Sequence, residues 1–600
     1  MPKIQIISKN ITIEATENEN LLQVLHQHQL GVVAHCGGLG RCGTCKVKVN
    51  GEEQLACQTT VQEDITLELL EKDIPNLQIM VDGMERDIVF EPKIIKRFLS
   101  NGLNIPNTSF TSLKEHINEI LKYLGIKENP RIPYTILKEL ALLKVLEDIT
   151  FVILDDPISR QQELIKIELG DTRAFSYGLA VDIGSTTVAM YLHDLVTGKL
   201  IGISSRMNTQ ATYGADVLSR ISFIQQNDHG LAILHKTITQ LINEMIEELT
   251  SKYQISKEHI YEGIFVGNTT MQHILLGISP ISLGHSPYIP VIKESHRVAA
   301  REIELHIPYA EIYTLPNLGG FVGSDTSAVI LATKMHEEQE NNLAVDIGTN
   351  GEMVLRTPSK LIACSSPAGP AFEGAQITFG MPAKKGAISK VWLEFDLQME
   401  VIGDAKPIGI CGSGLVDIVA ELLRVGIIDQ TGRLKSKKEL SPMVSFLLKN
   451  RIVENEEGNL FLLVDELKSG NGKPIYLTQK DIRELQLAKA AIFTGIQLLL
   501  LREEITIDQV SHLYLAGGFG NYIDKYNAMR IGLIPRLKEE QLVPVGNAAG
   551  YGARLALLSK VEMEQLQNKL RNVEHFHLAE DPQYETIFIK ALEFPMGERW

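Results

Sequence analysis

Four cysteines near the start of this 600-residue chain constrain its fold more than any other feature. The chain has only six cysteines, and four of them fall within a stretch of twenty-two residues, in the pattern C-x5-C-x2-C-x11-C. Six cysteines are too few for a disulfide scaffold of this size, whereas clustered thiols indicate a metal site. The candidate ligands are Cys36, Cys42, Cys45 and Cys57.

The spacing and chemistry of these cysteines favour a 2Fe–2S cluster. Four thiolates complete the tetrahedral coordination of its two irons. The loop that carries the first three cysteines also holds four glycines, which let the backbone curl closely around sulfur atoms. The alternative is structural zinc, which prefers two separated CxxC pairs, and only one such pair is present. Cys364 and Cys411 have no potential ligand near them in sequence, and we expect both to be core residues.

The segments around the cysteines predict a small β-rich domain. Alternating or apolar patterns predict strands over residues 3–7 and 11–15 and a helix over 20–30, and Asn50-Gly51 predicts a hairpin turn. This order resembles β-grasp ferredoxins. The first three cysteines resemble the vertebrate-type ferredoxin loop, although the final spacing of eleven residues is shorter. We therefore expect residues 1–75 to form a 2Fe–2S ferredoxin-type domain.

Charge and hydropathy exclude two classes of partner. The net charge is −16 and lysines and arginines form no dense cluster, so a nucleic-acid-binding face is not expected. The longest apolar run, residues 491–501, is shorter than the ~18 residues that cross a bilayer. The first residues show neither the basic nor the apolar region of a signal peptide. We expect a cytoplasmic protein that binds neither nucleic acid nor membrane.

The rest of the chain predicts further domains, giving a multidomain α+β and α/β protein. Residues 76–100 are predicted to be a linker. Residues 101–175 form a small mixed middle domain with amphipathic helices over 112–124 and 133–146. From 176 to 600, buried strands that end in glycine turns alternate with helices, which is typical of an α/β domain.

An internal near-repeat indicates that this last domain is duplicated. LAVDIGSTTVAMYL at 179–192 and LAVDIGTNGEMVL at 343–355 are two copies of one strand–turn–strand unit. Such a repeat predicts a fold with two facing halves, at about 176–335 and 336–600. A long helix is predicted over 481–501, packed in the core.

Each repeat carries a turn that can hold phosphate. Backbone N–H groups and short polar side chains of such turns bind anions. We expect Asp182 and Asp346 to face each other across a cleft, where they hold magnesium through water or orient an attacking water. The candidate phosphate ligands are Gly184, Ser185, Thr186, Thr187, Gly348, Thr349 and Asn350.

Two glycine-rich motifs follow the second turn. GICGSG (409–414) opens a predicted helix, and its Gly412 and Ser413 are candidate anion ligands. AGGFGN (516–521) allows the close backbone approach that adenosine needs, through Gly517 and Gly518.

The paired turns followed by AGGFGN resemble the acetate and sugar kinase/Hsp70/actin superfamily. The resemblance covers 176–600, with insertions expected near 285–318 and 430–475. It implies an ATP-binding fold. The second turn, VDIGTN, departs from the DxGGG of that superfamily.

The combination of both domains resembles the ATP-dependent reductive activators of corrinoid proteins. VGNTTMQHILLG (266–277), GGFVGSDTSA (319–328) and SPAGPAFEG (366–374) also carry this resemblance. It implies that the chain uses ATP with Mg²⁺ and a 2Fe–2S cluster to pass one electron to an inactive Co(II) corrinoid, giving Co(I) for methyl transfer. It also implies a corrinoid protein of a methyltransferase system as partner, an external low-potential electron donor of ferredoxin or flavodoxin type, and a homodimer.

Two other functions fit parts of the sequence. A nucleotide-regulated redox sensor or electron carrier needs the same two domains but no turnover with a corrinoid protein. Activators of 2-hydroxyacyl-CoA dehydratases share the ATPase superfamily, but their cysteines lie in the ATPase domain and join two subunits through a 4Fe–4S cluster. Here the cysteines lie in a separate N-terminal domain, which favours the corrinoid activators.

Overall fold

A computed structural model describes most of the chain. The described residues are 2–7, 11–28, 30, 32, 45–69, 86, 88–100, 112–126, 130–142, 148–455, 458–518, 520 and 522–595. The predicted ligands Cys36 and Cys42 lie outside them. The chain divides into two compact units: Met1–Ile74, Asp87–Asp325 and Ala553–Asn568 form the first, and Pro75–Arg86, Thr326–Gly552 and Lys569–Trp600 form the second.

The N-terminal segment forms a β-grasp sheet, as predicted. The sheet order is β2-β1-β7-β4-β5, with β1 and β7 parallel at its centre. At the predicted hairpin, Asn50 and Gly51 have φ angles of 50° and 90°, the left-handed values that a tight two-residue turn requires. The elements are β1 (Lys3–Ile6), β2 (Ile11–Glu14), β3 (Glu19–Asn20), α1 (Leu21–Gln27), β4 (Lys46–Val49), β5 (Glu52–Leu55), β6 (Thr60–Val61) and β7 (Ile65–Leu69).

A three-stranded antiparallel sheet with two helices follows. Its order is β10-β9-β8. The first helix begins where the sequence predicts, because the Ser112 hydroxyl accepts a hydrogen bond from the Glu115 N–H (3.2 Å). Residues 94–99, within the predicted linker, form an edge strand of this sheet. The elements are β8 (Ile94–Leu99), α2 (Leu113–Tyr123), α3 (Tyr134–Leu140), β9 (Ile149–Asp155) and β10 (Gln162–Leu169).

The next six-stranded sheet contains the first copy of the repeat. Its order is β13-β12-β11-β14-β16-β15. The repeat itself forms β11, a short turn and β12, paired antiparallel from Tyr177↔Asp194 to Ile183↔Val188. The elements are β11 (Tyr177–Ile183), β12 (Thr187–Asp194), β13 (Leu200–Met207), α4 (Val217–Gln226), α5 (Gly230–Tyr253), β14 (Ile260–Gly267), α6 (Thr269–Leu275), β15 (His296–Ala299), β16 (Glu311–Thr314) and α7 (Ser324–Thr333).

Buried ion pairs attach the middle sheet to this first half within the same unit. Lys93 and Glu262 are both fully buried and form an ion pair, and the Lys93 ammonium also donates to the Ala556 carbonyl (2.7 Å). Arg297 on β15 bonds Asp156 at 2.9 Å and Glu163 at 2.7 Å. Removing one partner of such a pair would leave a buried charge uncompensated.

The second copy of the repeat lies in another six-stranded sheet. Its order is β27-β26-β17-β18-β19-β28, and two smaller sheets, β21-β20-β22 and β23-β24-β25, accompany it. The elements are β17 (Asn342–Ile347), β18 (Gly351–Arg356), β19 (Leu361–Ser366), β20 (Ala387–Leu393), β21 (Leu397–Val401), β22 (Gly409–Ile410), α8 (Gly412–Arg424), α9 (Phe446–Asn450), β23 (Ile452–Val453), β24 (Leu460–Val464), β25 (Ile475–Thr478), α10 (Gln479–Arg502), β26 (His512–Ala516), α11 (Lys525–Arg530), β27 (Leu542–Gly546), α12 (Ala548–Leu558), α13 (Lys560–Leu570), β28 (Glu574–His575) and α14 (Tyr584–Leu592).

The two large sheets share one topology, which confirms the predicted duplication. In each, three antiparallel strands come first, and two parallel strands then extend the sheet from the first of the three: β13-β12-β11-β14-β16 matches β19-β18-β17-β26-β27. Because the carboxyl ends of parallel strands meet at one edge, the turn after β11 lies at the edge where β14 ends. The turn after β17 occupies the equivalent place beside the end of β26.

Helix α10 is apolar but belongs to the core. In the described part of the chain, it alone is long and apolar enough to cross a membrane by length and composition. The uninterrupted apolar run 491–501 is too short to indicate this length, because the helix begins earlier, at Gln479. Its most apolar stretch is 72% buried inside the protein, as expected for a core helix.

Candidate cluster and nucleotide sites

The two described cysteines of the N-terminal group lie together at one end of a hairpin. Cys45 directly precedes β4, and Cys57 follows β5, whose Leu55 pairs with Lys46. The Ala56 N–H donates to the Cys45 carbonyl (2.8 Å), which closes this end of the hairpin. Cys45 is buried, and Cys57 is partly buried against the same apolar core.

These residues fit a 2Fe–2S cluster. Two soft thiol donors lie at the same end of the hairpin against one apolar core, and thiolates are the ligands that such a cluster takes. The Asn20 side chain donates to the Cys57 carbonyl (2.9 Å) and accepts from the Leu22 N–H (3.1 Å), so the start of α1 is held to the cysteine turn. Cys364 and Cys411, by contrast, are buried in the second unit. This confirms that both are core residues.

The first phosphate turn is closed by one hydrogen bond and held by its surroundings. The Gly184 N–H donates to the Thr187 carbonyl (2.8 Å), and a Cβ at Gly184 would lie 2.8 Å from that oxygen. Glycine is therefore required for a turn this tight. Asp182 is half-buried near the end of β11.

The sequence motif at 266–277 supports this turn. The Asn268 carboxamide caps α6 by accepting from the Met271 N–H (3.0 Å) and donates to the Ser185 hydroxyl (3.0 Å). The Thr269 hydroxyl donates to the Gly319 carbonyl (2.7 Å), which ties in the motif at 319–328. The motif at 266–277 therefore positions Ser185, and the motif at 319–328 is bonded to the start of the same helix.

The second phosphate turn is one residue shorter than the first, since Ile347 pairs with Gly351 whereas Ile183 pairs with Val188, and it has different neighbours. The Gly348 N–H donates to the Asn350 carbonyl (3.1 Å). The Thr349 hydroxyl donates to the Glu373 carboxylate (2.6 Å), and the Thr349 carbonyl accepts from the Gly369 N–H (2.9 Å). The motif at 366–374 thus supplies the support for this turn.

AGGFGN begins at the end of β26, next to Asp346, and its first two glycines have different surroundings. Gly517 has φ +91°, and a Cβ there would lie 2.6 Å from Asp346 Oδ1. A side chain at Gly517 would therefore collide with Asp346. A Cβ at Gly518 would meet no atom of the described residues within 4 Å. An added side chain at Gly518 would thus enter space that none of these residues fills.

The start of α8 is packed into the fold. The Ser413 hydroxyl donates to the Ser389 carbonyl (2.8 Å), and Gly412 and Ser413 are both buried. Farther along α8, Asp417 accepts from the Asn527 side chain (2.8 Å). Burial raises the pKa of Asp417 to about 7 despite this hydrogen bond.

Sequence reasoning missed three residues that hold the first turn: Asn208, Arg220 and Asn268. Asn268 lies in a motif that the sequence singled out, so its motif could have indicated it. Asn208 and Arg220 lie outside every motif, and only the fold brings them to the turn.

Three family models match the chain in succession. They are described as "2Fe-2S iron-sulfur cluster binding domain", over residues 4–62, "RACo middle region", over 177–338, and "C-terminal domain of RACo the ASKHA domain", over 340–599. The first of these agrees with the predicted cluster domain, and the last with the predicted ATPase-like fold.

Relatives extend the similarity to the whole chain. The "Corrinoid activation enzyme RamQ" of Eubacterium limosum is 35% identical over 565 residues, 93% of each chain. The "[Co(II) methylated amine-specific corrinoid protein] reductase" of Methanosarcina barkeri is 24% identical and covers 70% of this chain and 77% of its own length. A solved structure titled "Reductive activator for corrinoid,iron-sulfur protein" superposes with a TM-score of 0.75 at 31% identity, covering 99% of this chain and 98% of its own.

Proposed function

The chain belongs to the family of reductive activators of corrinoid proteins, and on that premise we propose that it couples ATP hydrolysis to the reduction of a corrinoid protein from Co(II) to Co(I). One observation carries the proposal: a single chain joins a β-grasp domain with cluster-type cysteines to a duplicated sheet with two phosphate-type turns. A domain that only carries electrons does not need an ATPase-like domain, and an ATPase-like domain does not need a cluster, so the presence of both in one chain favours a function that couples them.

The reaction needs both parts because the electron transfer is uphill. A one-electron step costs about 1.4 kcal/mol for each 59 mV, so a gap of a few hundred millivolts costs several kcal/mol. A nucleotide that binds one conformation better than another can supply free energy of this size. The names of the two relatives, an activation enzyme and a Co(II) corrinoid protein reductase, support this direction of electron flow.

The cysteine group holds the electron carrier. Cys36, Cys42, Cys45 and Cys57 would bind the 2Fe–2S cluster, which when bound supplies a one-electron redox centre. The chain's own contribution at the described residues is to bury Cys45 and to fix Cys57 through Asn20.

The two turns bind the phosphates of Mg-ATP in this proposal. Ser185, Thr186 and Thr187 contribute from the first turn and Thr349 and Asn350 from the second, together with Gly184 and Gly348. Asp182 and Asp346 hold Mg²⁺ through water or orient the attacking water. Gly517 and Gly518 allow the close backbone approach of the adenosine. Gly412 and Ser413 contribute through backbone N–H groups, because the Ser413 hydroxyl already donates to a carbonyl.

The partners follow from the same premise. We infer a cytoplasmic homodimer that takes electrons from a low-potential donor of ferredoxin or flavodoxin type and passes them to the corrinoid protein of a methyltransferase system. The rival is a nucleotide-regulated redox sensor or electron carrier, which would bind nucleotide without producing Co(I).

The test is the anaerobic reduction of a Co(II) corrinoid protein by the reduced chain, with and without ATP, followed by visible absorption. We expect Co(I) to accumulate only with ATP. Equal amounts of Co(I) without ATP would contradict the coupling and favour the electron-carrier alternative.

A further inference from the structure

Arg220 is a fully buried arginine at the first phosphate turn. It lies on α4 and is among the largest fully buried side chains of the described residues. A guanidinium stays charged in proteins, and burying it costs several kcal/mol before its contacts compensate. A buried cation at this place therefore calls for a physical explanation.

The contacts of Arg220 anchor one side of the guanidinium and direct the other side to the turn. Nε donates to the Gly214 carbonyl (3.0 Å), and Nη1 donates to Gln210 Oε1 (3.3 Å). Nη1 also lies 2.8 Å from Met271 Sδ. Nη2 donates to the Ser185 carbonyl. The positive charge of Arg220 is thus held next to the Ser185 carbonyl of the turn.

Three carbonyls of the turn, those of Gly184, Ser185 and Thr186, accept hydrogen bonds from Asn208 or Arg220. Asn208 donates to the Gly184 carbonyl through its side chain (2.8 Å) and to the Thr186 carbonyl through its backbone N–H (2.8 Å). The Arg220 guanidinium donates to the Ser185 carbonyl. In a trans peptide, the carbonyl and the following N–H point in opposite directions. The bond from Arg220 therefore directs the Thr186 N–H away from the guanidinium, and the bonds from Asn208 direct the Ser185 and Thr187 N–H groups away from Asn208. Backbone N–H groups in such a turn can bind an anion.

The second turn provides an internal comparison. There the Thr349 carbonyl accepts from a neutral backbone N–H, and the Thr349 hydroxyl contacts the Glu373 carboxylate. The equivalent carbonyl in the first turn contacts a guanidinium. The two copies of the repeat have thus diverged in the charge placed beside the turn.

We propose that Arg220 is a positioning residue for nucleotide phosphates: it fixes the Ser185–Thr186 peptide with its N–H directed away from the guanidinium and supplies positive charge beside the turn. The inference rests on the proposed nucleotide site and deepens it. The ligand group concerned is the polyphosphate, and the nucleoside part is not affected.

The test compares ATP, ADP and adenosine binding by calorimetry in variants that alter the charge in two independent ways. Arg220→Gln removes the charge and keeps a donor, and Arg220→Lys keeps the charge. Gln210→Glu places a carboxylate against Arg220, which neutralises it while leaving the arginine in place. Arg206→Gln is the matched control, because Arg206 is part-exposed on β13, where it pairs with Glu244 and Glu248.

We expect Arg220→Gln and Gln210→Glu each to weaken ATP and ADP binding at least tenfold and to change adenosine binding less than twofold. Arg220→Lys should stay within threefold of wild type, and Arg206→Gln should bind as wild type does. If Arg220→Gln fails to fold, Gln210→Glu decides the question. An equal loss of adenosine affinity, or unchanged ATP binding in Gln210→Glu, would overturn the inference about Arg220 but not the proposed function. Wild-type protein that binds no ATP would overturn the proposed function as well.

Discussion

The first two glycines of AGGFGN give a matched pair of substitutions that separates ligand binding from folding. At Gly518 an added Cβ would meet no atom of the described residues within 4 Å, and φ lies outside the left-handed region. We therefore expect Gly518→Ala to change the free energy of unfolding by less than about 1 kcal/mol. Gly518→Val should weaken ATP binding at least tenfold, about 1.4 kcal/mol, because its branches occupy the space of the nucleoside.

The neighbouring substitution should behave differently. Gly517→Ala puts a Cβ 2.6 Å from Asp346 Oδ1 in a residue at φ +91°. Backbone strain of this kind costs on the order of 1–3 kcal/mol, so we expect a lower melting temperature with or without nucleotide.

Calorimetric titration with ATP, paired with thermal melting, distinguishes the two effects. Gly518→Val should melt like wild type in the absence of ATP and gain less stability when ATP is added. ATP binding of wild-type strength in Gly518→Val would refute the position of the nucleoside. A wild-type melting temperature in Gly517→Ala would refute the packing argument.

Further substitutions test the cluster, a buried ion pair and a buried acid. Cys45→Ser should lose most of the two irons expected per chain while the melting transition of the second unit is unchanged, and full iron content would exclude Cys45 as a ligand. Lys93→Met should destabilise the first unit by about 3–5 kcal/mol, because the Glu262 carboxylate stays buried without the Lys93 ammonium. Adding Glu262→Gln should recover much of this loss. Losses in urea unfolding that simply add in the double variant would contradict the prediction. The pKa of Asp417 is about 7 in the folded protein and about 3.9 when unfolded. The free energy of unfolding of the second unit should therefore fall by about 3 kcal/mol relative to that of Asp417→Asn as the pH rises from 5 to 8. A difference in melting temperature between the two proteins that does not change with pH would contradict this.

The parts of the fold that depend on local pattern could be predicted from the sequence. The strands around the cysteines, the turn at Asn50-Gly51 and the repeated strand–turn–strand unit all follow from periodicity and turn chemistry over a few residues. The duplicated sheet topology then follows from the repeat, because two copies of one unit fold alike.

The supports of the site could not be predicted in this way. Asn208 and Arg220 reach the first turn only because β13 and α4 pack beside it, and nothing in their local sequence marks them. The close packing at Gly517 could not be predicted for the same reason: the atom nearest to an added Cβ there belongs to Asp346, 171 positions earlier in the chain. Contacts of this range depend on the tertiary fold.

The coupling of ATP hydrolysis to electron transfer is the central claim, and one titration tests it most directly. Reduced protein is mixed with a Co(II) corrinoid protein and ATP, and Co(I) absorbance and phosphate release are recorded together. We predict that the corrinoid protein stimulates phosphate release and that Co(I) rises with it. Cys45→Ser should hydrolyse ATP without forming Co(I), and Asp182→Ala should keep a reducible cluster and form little Co(I). Co(I) formation that proceeds equally well without ATP would contradict the account.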